Sequence, residues 1–197
     1  PVLARQRNDE LMLRYNAGTL SAQEAADFML GLLKLAQPTE LAQWHEAYMS
    51  EVVAPGILPA AQALIARHRD DGALCAIVTA TNEFVTAPIA RALGIPHLIA
   101  TVPARDATGR YTGLIEGTPS FQAGKVLRVR QWLAAQGFAL EDFEQSWFYS
   151  DSMNDLPLLE IVSHPVATNP SPDLRALADV RGWRVLDLFE DMQDTKS

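Results

Sequence analysis

At 197 residues, with 48% hydrophobic and 20% charged side chains, the chain has an ordinary globular composition, long enough for one sizeable core and a small accessory unit. Its formal net charge of -8 argues against an extended nucleic-acid surface, which needs a basic stripe, but leaves room for a small anion held by a few local donors. The single cysteine, Cys75, excludes an internal disulfide; no apolar run approaches the ~18 residues of a membrane span and no signal-peptide pattern opens the chain, so a cytoplasmic protein with no membrane partner is expected.

Residues 1 to about 53 read as three helices without strands. Ser21 and Glu24 have the spacing of a capping box and open a helix through Ala25, Phe28, Met29 and Leu32. The third helix follows Pro38-Thr39 and places Leu41, Trp44, His45, Tyr48, Met49 and Val52 at steps of three and four. Its aromatic and Met stripe reads as core, and His45 as a packing residue. Pro55-Gly56 breaks the pattern, and helices and strands then alternate. The expected order is helix 59–71, strand 74–79, helix 83–93, strand 97–102, and a hairpin around Asp106-Ala107-Thr108-Gly109 whose second arm is 110–115. Helix 123–136, strand 146–150, helix 154–162, strand 165–168, helix 172–181 and strand 183–187 follow. This predicts an α/β fold with a mostly parallel, doubly wound, Rossmann-like sheet. Its five principal strands should share one sheet. Residues 1–54 should form a helical unit, 55–190 the core and 191–197 a polar tail.

Chemistry concentrates at strand ends. The run Trp147-Phe148-Tyr149-Ser150-Asp151-Ser152-Met153-Asn154-Asp155 leads an apolar strand into two carboxylates four residues apart and then into a helix. Such carboxylates repel unless a cation or a basic side chain lies between them, and oxygen ligands on a tight loop suit magnesium. A plain acidic helix cap explains them equally well. Strand 74–79 ends in the hydroxyl of Thr79, and Ala80-Thr81-Asn82 leads into a helix whose free N–H groups face the same way, which makes an anion cradle or simply a capped helix. Gly124-Lys125 enters another helix, with a solvated surface lysine as the ordinary alternative. Asn169 before Pro170 either borders the same cleft or only makes a turn.

The order Thr79, then Lys125, then Ser-Asp-Ser-Met-Asn-Asp followed by Leu156-Pro157-Leu158-Leu159 resembles the haloacid dehalogenase superfamily. Within it, the resemblance is to the phosphoserine-phosphatase-like branch, whose helical cap lies between the first and second motifs. It implies that Thr79, with Ala80 and Asn82, binds the transferring phosphoryl group and that Lys125 neutralises phosphate and nucleophile. It further implies that Asp151 ligates magnesium (Mg2+), that Asp155 supports the metal shell and Lys125, and that Ser152 and Asn154 order the loop. One family motif is missing: a strand ending Asp-x-Asp-x-Thr, whose first aspartate attacks phosphorus and whose second serves as acid and base. The resemblance therefore places the first strand, the nucleophile and the opening cap helix outside these 197 residues. That strand belongs mid-sheet, where its loss leaves two rows of backbone groups unpaired. The expected activity is magnesium-dependent hydrolysis of small phosphomonoesters through a phosphoaspartyl intermediate in the complete protein, with the 197-residue chain inactive and a poor binder of magnesium. A non-catalytic phospholigand-binding or regulatory module is the alternative, and a purely structural α/β domain is a third.

Overall fold

The computed structural model describes residues 21–189 together with 6, 7, 9–11, 13, 14 and 19. Of the first expected helix, residues 6, 7, 9–11, 13 and 14 are described and are helical, while the tail 191–197 lies outside the described residues. Helix α1 (Ala22–Lys34) starts at a reciprocal cap: the Ser21 hydroxyl accepts the Glu24 N–H at 3.2 Å and the Glu24 carboxylate accepts the Ser21 N–H at 3.1 Å. Helix α2 (Pro38–Tyr48) begins at a proline, whose missing N–H costs nothing in a first turn, and the Glu40 carboxylate accepts the Gln37 N–H. It continues through a π-helical turn at Met49–Val53 and stops at Ala54–Gly56, close to the predicted break. Leu30, Leu33, Ala36 and Leu41 bury their side chains against Tyr111, so the helical unit is seated on a hairpin of the core.

That core alternates as expected: α3 (Pro59–Asp70), β1 (Ala76–Asn82), α4 (Glu83–Ala92), β2 (His97–Arg105), β3 (Tyr111–Glu116), α5 (Ala123–Ala135), β4 (Trp147–Ser150), α6 (Leu156–Leu159), β5 (His164–Thr168), α7 (Pro172–Arg181) and β6 (Arg184–Leu186). Strand β2 serves two partners along its length. Its first half lies parallel to β1, with Ala76 opposite His97 and Val78 opposite Ile99, and Asn82 reaches Thr101 after an irregularity. Its second half lies antiparallel to β3, with Val102 opposite Glu116 and Arg105 opposite Tyr111. Strands β4, β5 and β6 form a separate parallel set, with Ser150 opposite Ala167 and Thr168 opposite Leu186.

The expectation of one sheet needs correction. The ladders form two three-stranded sheets, β1-β2-β3 and β4-β5-β6. The open sides of β1 and β4 both line an apolar cleft of about 410 Å³, walled by Ala76, Val78, Phe148, Tyr149, Leu64 and Val129 among others. Apolar strands announce that they pair, but their sequences do not say with which edge. Helix α5 spans the division, since Val129 and Leu133 pack with Ile99 of β2 and Leu158 of α6. A second cluster of Leu159, Ala167, Leu174 and Ala178 closes the β4-β5-β6 side. Element ends also shift. The first strand is Ala76–Asn82 rather than 74–79, and helix 154–162 contracts to a 3-10 turn (Met153–Asp155) followed by Leu156–Leu159. The chain turns away after that short helix because Ser163 closes back on Ser146, whose N–H donates to the Ser163 hydroxyl at 2.8 Å.

Candidate active site

Strand β4 delivers Ser150 to its carboxyl end, and the next five residues wrap around that buried hydroxyl. Ser150 Oγ donates to Asp155 Oδ2 at 2.7 Å and accepts the Ser152 N–H at 3.2 Å. Ser152 Oγ accepts the Asn154 N–H at 3.2 Å and so opens the 3-10 turn that brings Asp155 back towards the strand. Lys125 Nζ pairs with the other oxygen of Asp155, Oδ1. The lysine is 6% exposed and the aspartate 8%, so the surface lysine that the sequence allows is in fact a buried ammonium. A charge so placed is tolerated because its partner is adjacent and is itself hydrogen-bonded. The Asp151 backbone carbonyl accepts the Ser171 N–H at 2.9 Å, tying the loop to the start of α7. The Asp151 residue is exposed, and its carboxylate makes no hydrogen bond or ion pair among the described residues.

Lys125 is held in place by an unusual backbone. Gln122 has a φ of 46° immediately before the helix, and a Cβ on Gly124 would stand 2.4 Å from the Pro119 carbonyl oxygen. Only a glycine lets the loop close that tightly on the first turn of α5.

The Thr79 loop is organised with similar economy. Thr79 Oγ1 accepts the Thr81 N–H at 3.1 Å, and Asn82 Oδ1 accepts the Val85 N–H at 3.2 Å, capping α4. Three residues that the sequence reading passed over join this loop to the Lys125 segment. Thr101 Oγ1 donates to the Ala80 carbonyl at 2.9 Å and accepts the Ser120 N–H at 3.3 Å, while Ser120 Oγ donates to the Ile99 carbonyl at 3.1 Å. The Arg128 guanidinium donates to the carbonyls of Ala100 and Thr118, and its burial lowers its pKa from the usual arginine value. A hydroxyl inside an otherwise apolar strand was the available signal for Thr101. Asn169, the remaining candidate, has a φ of 44° and accepts the Leu188 and Phe189 N–H groups at 2.7 and 3.1 Å, which makes it a latch on the chain after β6.

The structure thus joins Lys125, Asp155, Ser150 and Ser152 directly, and ties Thr79 and Ala80 to the Lys125 loop through Thr101 and Ser120. An ammonium, a hydroxyl and helix N-terminal amides are groups that can hold a small anion, although Thr79, Lys125 and Asp151 are not among the residues that wall the apolar cleft. Deeper in the cleft, His68 Nε2 lies 2.6 Å from Tyr149 Oη. Burial, assisted by the Arg67 charge, lowers the His68 pKa, and burial raises that of Tyr149. No group of three or more His, Cys, Asp or Glu is arranged to hold a metal among the described residues. Both Asp155 oxygens are engaged by Lys125 and Ser150, which leaves Asp151 as the carboxylate of this loop open to a cation. One carboxylate is within what magnesium accepts from a protein, provided that water and phosphate oxygens complete its octahedron.

Fold and site together define an α/β protein with a buried Lys125–Asp155 pair beside an acidic loop at the end of β4. The chain belongs to the haloacid dehalogenase-like hydrolase family, whose model matches residues 2–160, and it is a phosphoserine-phosphatase-like member of it. It is 39% identical over 180 residues to a histidinol-phosphatase of Neisseria meningitidis, covering 91% of this chain and 81% of that one. It is 36% identical over 148 residues to a phosphoserine phosphatase of Mycobacterium tuberculosis, covering 75% of this chain but only 47% of the relative. Among solved structures, a Bordetella pertussis protein of unknown function superposes with a TM-score of 0.91 at 60% identity, covering 96% of this chain and 84% of that one. A phosphoserine phosphatase captured as a phospho-aspartyl intermediate analogue superposes with a TM-score of 0.64 at 21% identity over 95% of this chain and 84% of that one, a likeness of fold alone.

Proposed function

We propose that this chain carries most of the active site of a magnesium-dependent phosphatase of small phosphomonoesters, with histidinol phosphate as the favoured substrate. The observation that carries the reading is the cleft between β1 and β4. It is apolar, it is flanked by two open edges, and Asp151 directly follows the carboxyl end of β4 while Thr79 follows Val78, where β1 leaves its regular pairing with β2. A strand seated there in parallel would satisfy both edges and present its own carboxyl end between the anion cradle and the acidic loop. An aspartate at that end is the nucleophile. Its oxygen bonds to phosphorus as the ester oxygen leaves and takes up a proton. Water then attacks phosphorus, the carboxylate is restored and inorganic phosphate departs. Lys125, aligned by Asp155, neutralises the phosphoryl oxygens, and Thr79 with the first amides of α4 binds them. Asp151 would hold magnesium, which when bound supplies further positive charge beside the phosphoryl group. The substrate assignment draws on the Neisseria relative, which matches over most of both chains.

The test is phosphate release from histidinol phosphate, phosphoserine and an aryl phosphate, measured with the full-length protein and with residues 1–197 alone. Turnover by the full-length protein that EDTA abolishes and magnesium restores, together with an inactive 197-residue chain, is the expected pattern. Robust magnesium-dependent turnover by the 197 residues alone would place the nucleophile within them and defeat the argument.

A further inference from the structure

The peptide between Ala80 and Thr81 is trans, so its carbonyl and its N–H point in opposite directions. Each end has a hydroxyl partner. The carbonyl takes the Thr101 hydroxyl at 2.9 Å, and the N–H donates to Thr79 Oγ1 at 3.1 Å. Thr101 Oγ1 in turn accepts the Ser120 N–H at 3.3 Å. The Ser120 N–H, the Thr101 O–H and the Ala80–Thr81 amide therefore stand head to tail and end on Thr79. Thr101 is 4% exposed and Ser120 is fully buried, so the start of the relay is shielded from water, whereas Ala80 is exposed and Thr79 and Thr81 are half-buried. A hydroxyl that already accepts a hydrogen bond keeps its own proton for donation, and donors in a chain polarise one another.

We infer that Thr101 is a positioning residue for phosphoryl binding, acting through the Ala80–Thr81 amide to aim and polarise the Thr79 hydroxyl. The inference rests on the reading above that Thr79 binds a phosphoryl oxygen, and it adds a residue that never touches the substrate. The relay also starts from Ser120, on the loop that leads to Lys125, so the hydroxyl and ammonium sides of the cradle share one buried tie. Rotating the Ala80–Thr81 peptide would break the bonds at both of its ends together. Thr101 thereby fixes the direction in which Thr79 can donate.

The experiment is a double-mutant cycle in the full-length protein, following histidinol phosphate hydrolysis and inhibition by inorganic phosphate. Thr101→Val should lower kcat/KM roughly five- to tenfold and weaken phosphate inhibition by a similar factor, the effect of one lost neutral hydrogen bond. Thr101→Ser should recover to within about twofold, because it retains the donor. In a Thr79→Val background, Thr101→Val should change kcat/KM by less than about twofold, since the end of the relay is already gone. Losses that multiply independently in the double variant, or a Thr101→Val loss that only matches the unfolded fraction seen by circular dichroism, would overturn the inference while leaving the phosphatase reading in place. If the valine variant does not fold, Thr101→Cys supplies a weak donor of similar size for the same cycle. A full-length protein that neither releases phosphate nor binds inorganic phosphate would remove the phosphatase reading, and the relay with it.

Discussion

Replacing Asp155 with alanine isolates what the buried ion pair contributes. The Lys125 and Asp155 side chains are only 7% and 10% exposed, and Asp155 also accepts the Ser150 hydroxyl at 2.7 Å. Asp155→Ala leaves an ammonium buried without its counter-charge, which costs about 3 to 5 kcal/mol, and strands the Ser150 hydroxyl for about 1 kcal/mol more. For a protein of this size each kcal/mol is worth roughly 2 to 4 °C, so Tm should fall by about 10 to 20 °C. Urea titrations at neutral pH, followed by far-ultraviolet circular dichroism, would give the same loss as a lower midpoint. The partner experiment is Lys125→Met in the Asp155→Ala background. Removing the second charge abolishes the uncompensated burial, so the double variant should regain all but about 1 to 2 kcal/mol of the wild-type stability. A single variant that loses less than about 1 kcal/mol, or a double variant no more stable than the single, would refute the account of Lys125 as a charge that depends on Asp155.

Three further outcomes follow from particular contacts. Gly124→Ala should cost about 1 to 3 kcal/mol in a urea titration, because its new Cβ would meet the Pro119 carbonyl oxygen at 2.4 Å and the first turn of α5 would have to move; an unchanged midpoint would show that the loop yields freely. Leu159→Ala should cost about 2 to 5 kcal/mol by the same measurement, since the side chain is fully buried among Ala167, Leu174 and Ala178. His68 has a pKa below its ordinary 6.5, so between the two values the folded state binds fewer protons than the unfolded chain. Its stabilising contribution is complete above pH 6.5 and is lost as the pH falls through 6.5 towards the folded value. Thermal melts of the wild type should therefore weaken on acidification from pH 7, and His68→Gln should flatten that part of the profile.

What was legible in the sequence was short in range. The Ser150-to-Asp155 loop could be read because its hydrogen bonds close over two to five residues, and the cap of α1 because it spans three. The burial of Lys125 could not be read in this way, because its partner lies 30 residues further on and a lysine at a helix start looks the same whether wet or dry. Thr101 was passed over for a related reason. Its hydroxyl reaches 21 residues back to Ala80 and 19 forward to Ser120, and nothing local marks a strand threonine as a bridge. The overlong helix 154–162 came from Leu156-Pro157-Leu158-Leu159 and the apolar residues after Glu160, a run that suits a long helix or one turn followed by a bend. The division of the sheet has no counterpart in any single strand. Apolar alternation reports that β1 and β4 are strands, and only the assembled edges report that each has a free side.

Strand β2 acts as a lever as well as a ladder. Its first half is clamped in the core against β1, its second half carries the hairpin on which the helical unit sits, and Thr101 stands at the changeover, just before Val102 pairs with Glu116. A continuous strand resists bending far more than the loops around it. Any load on the hairpin that seats the helical unit would therefore meet the core at Thr101 and, through its hydroxyl, the Ala80 carbonyl. The seat of the helical unit and the Thr79 segment are thus joined by one piece of backbone.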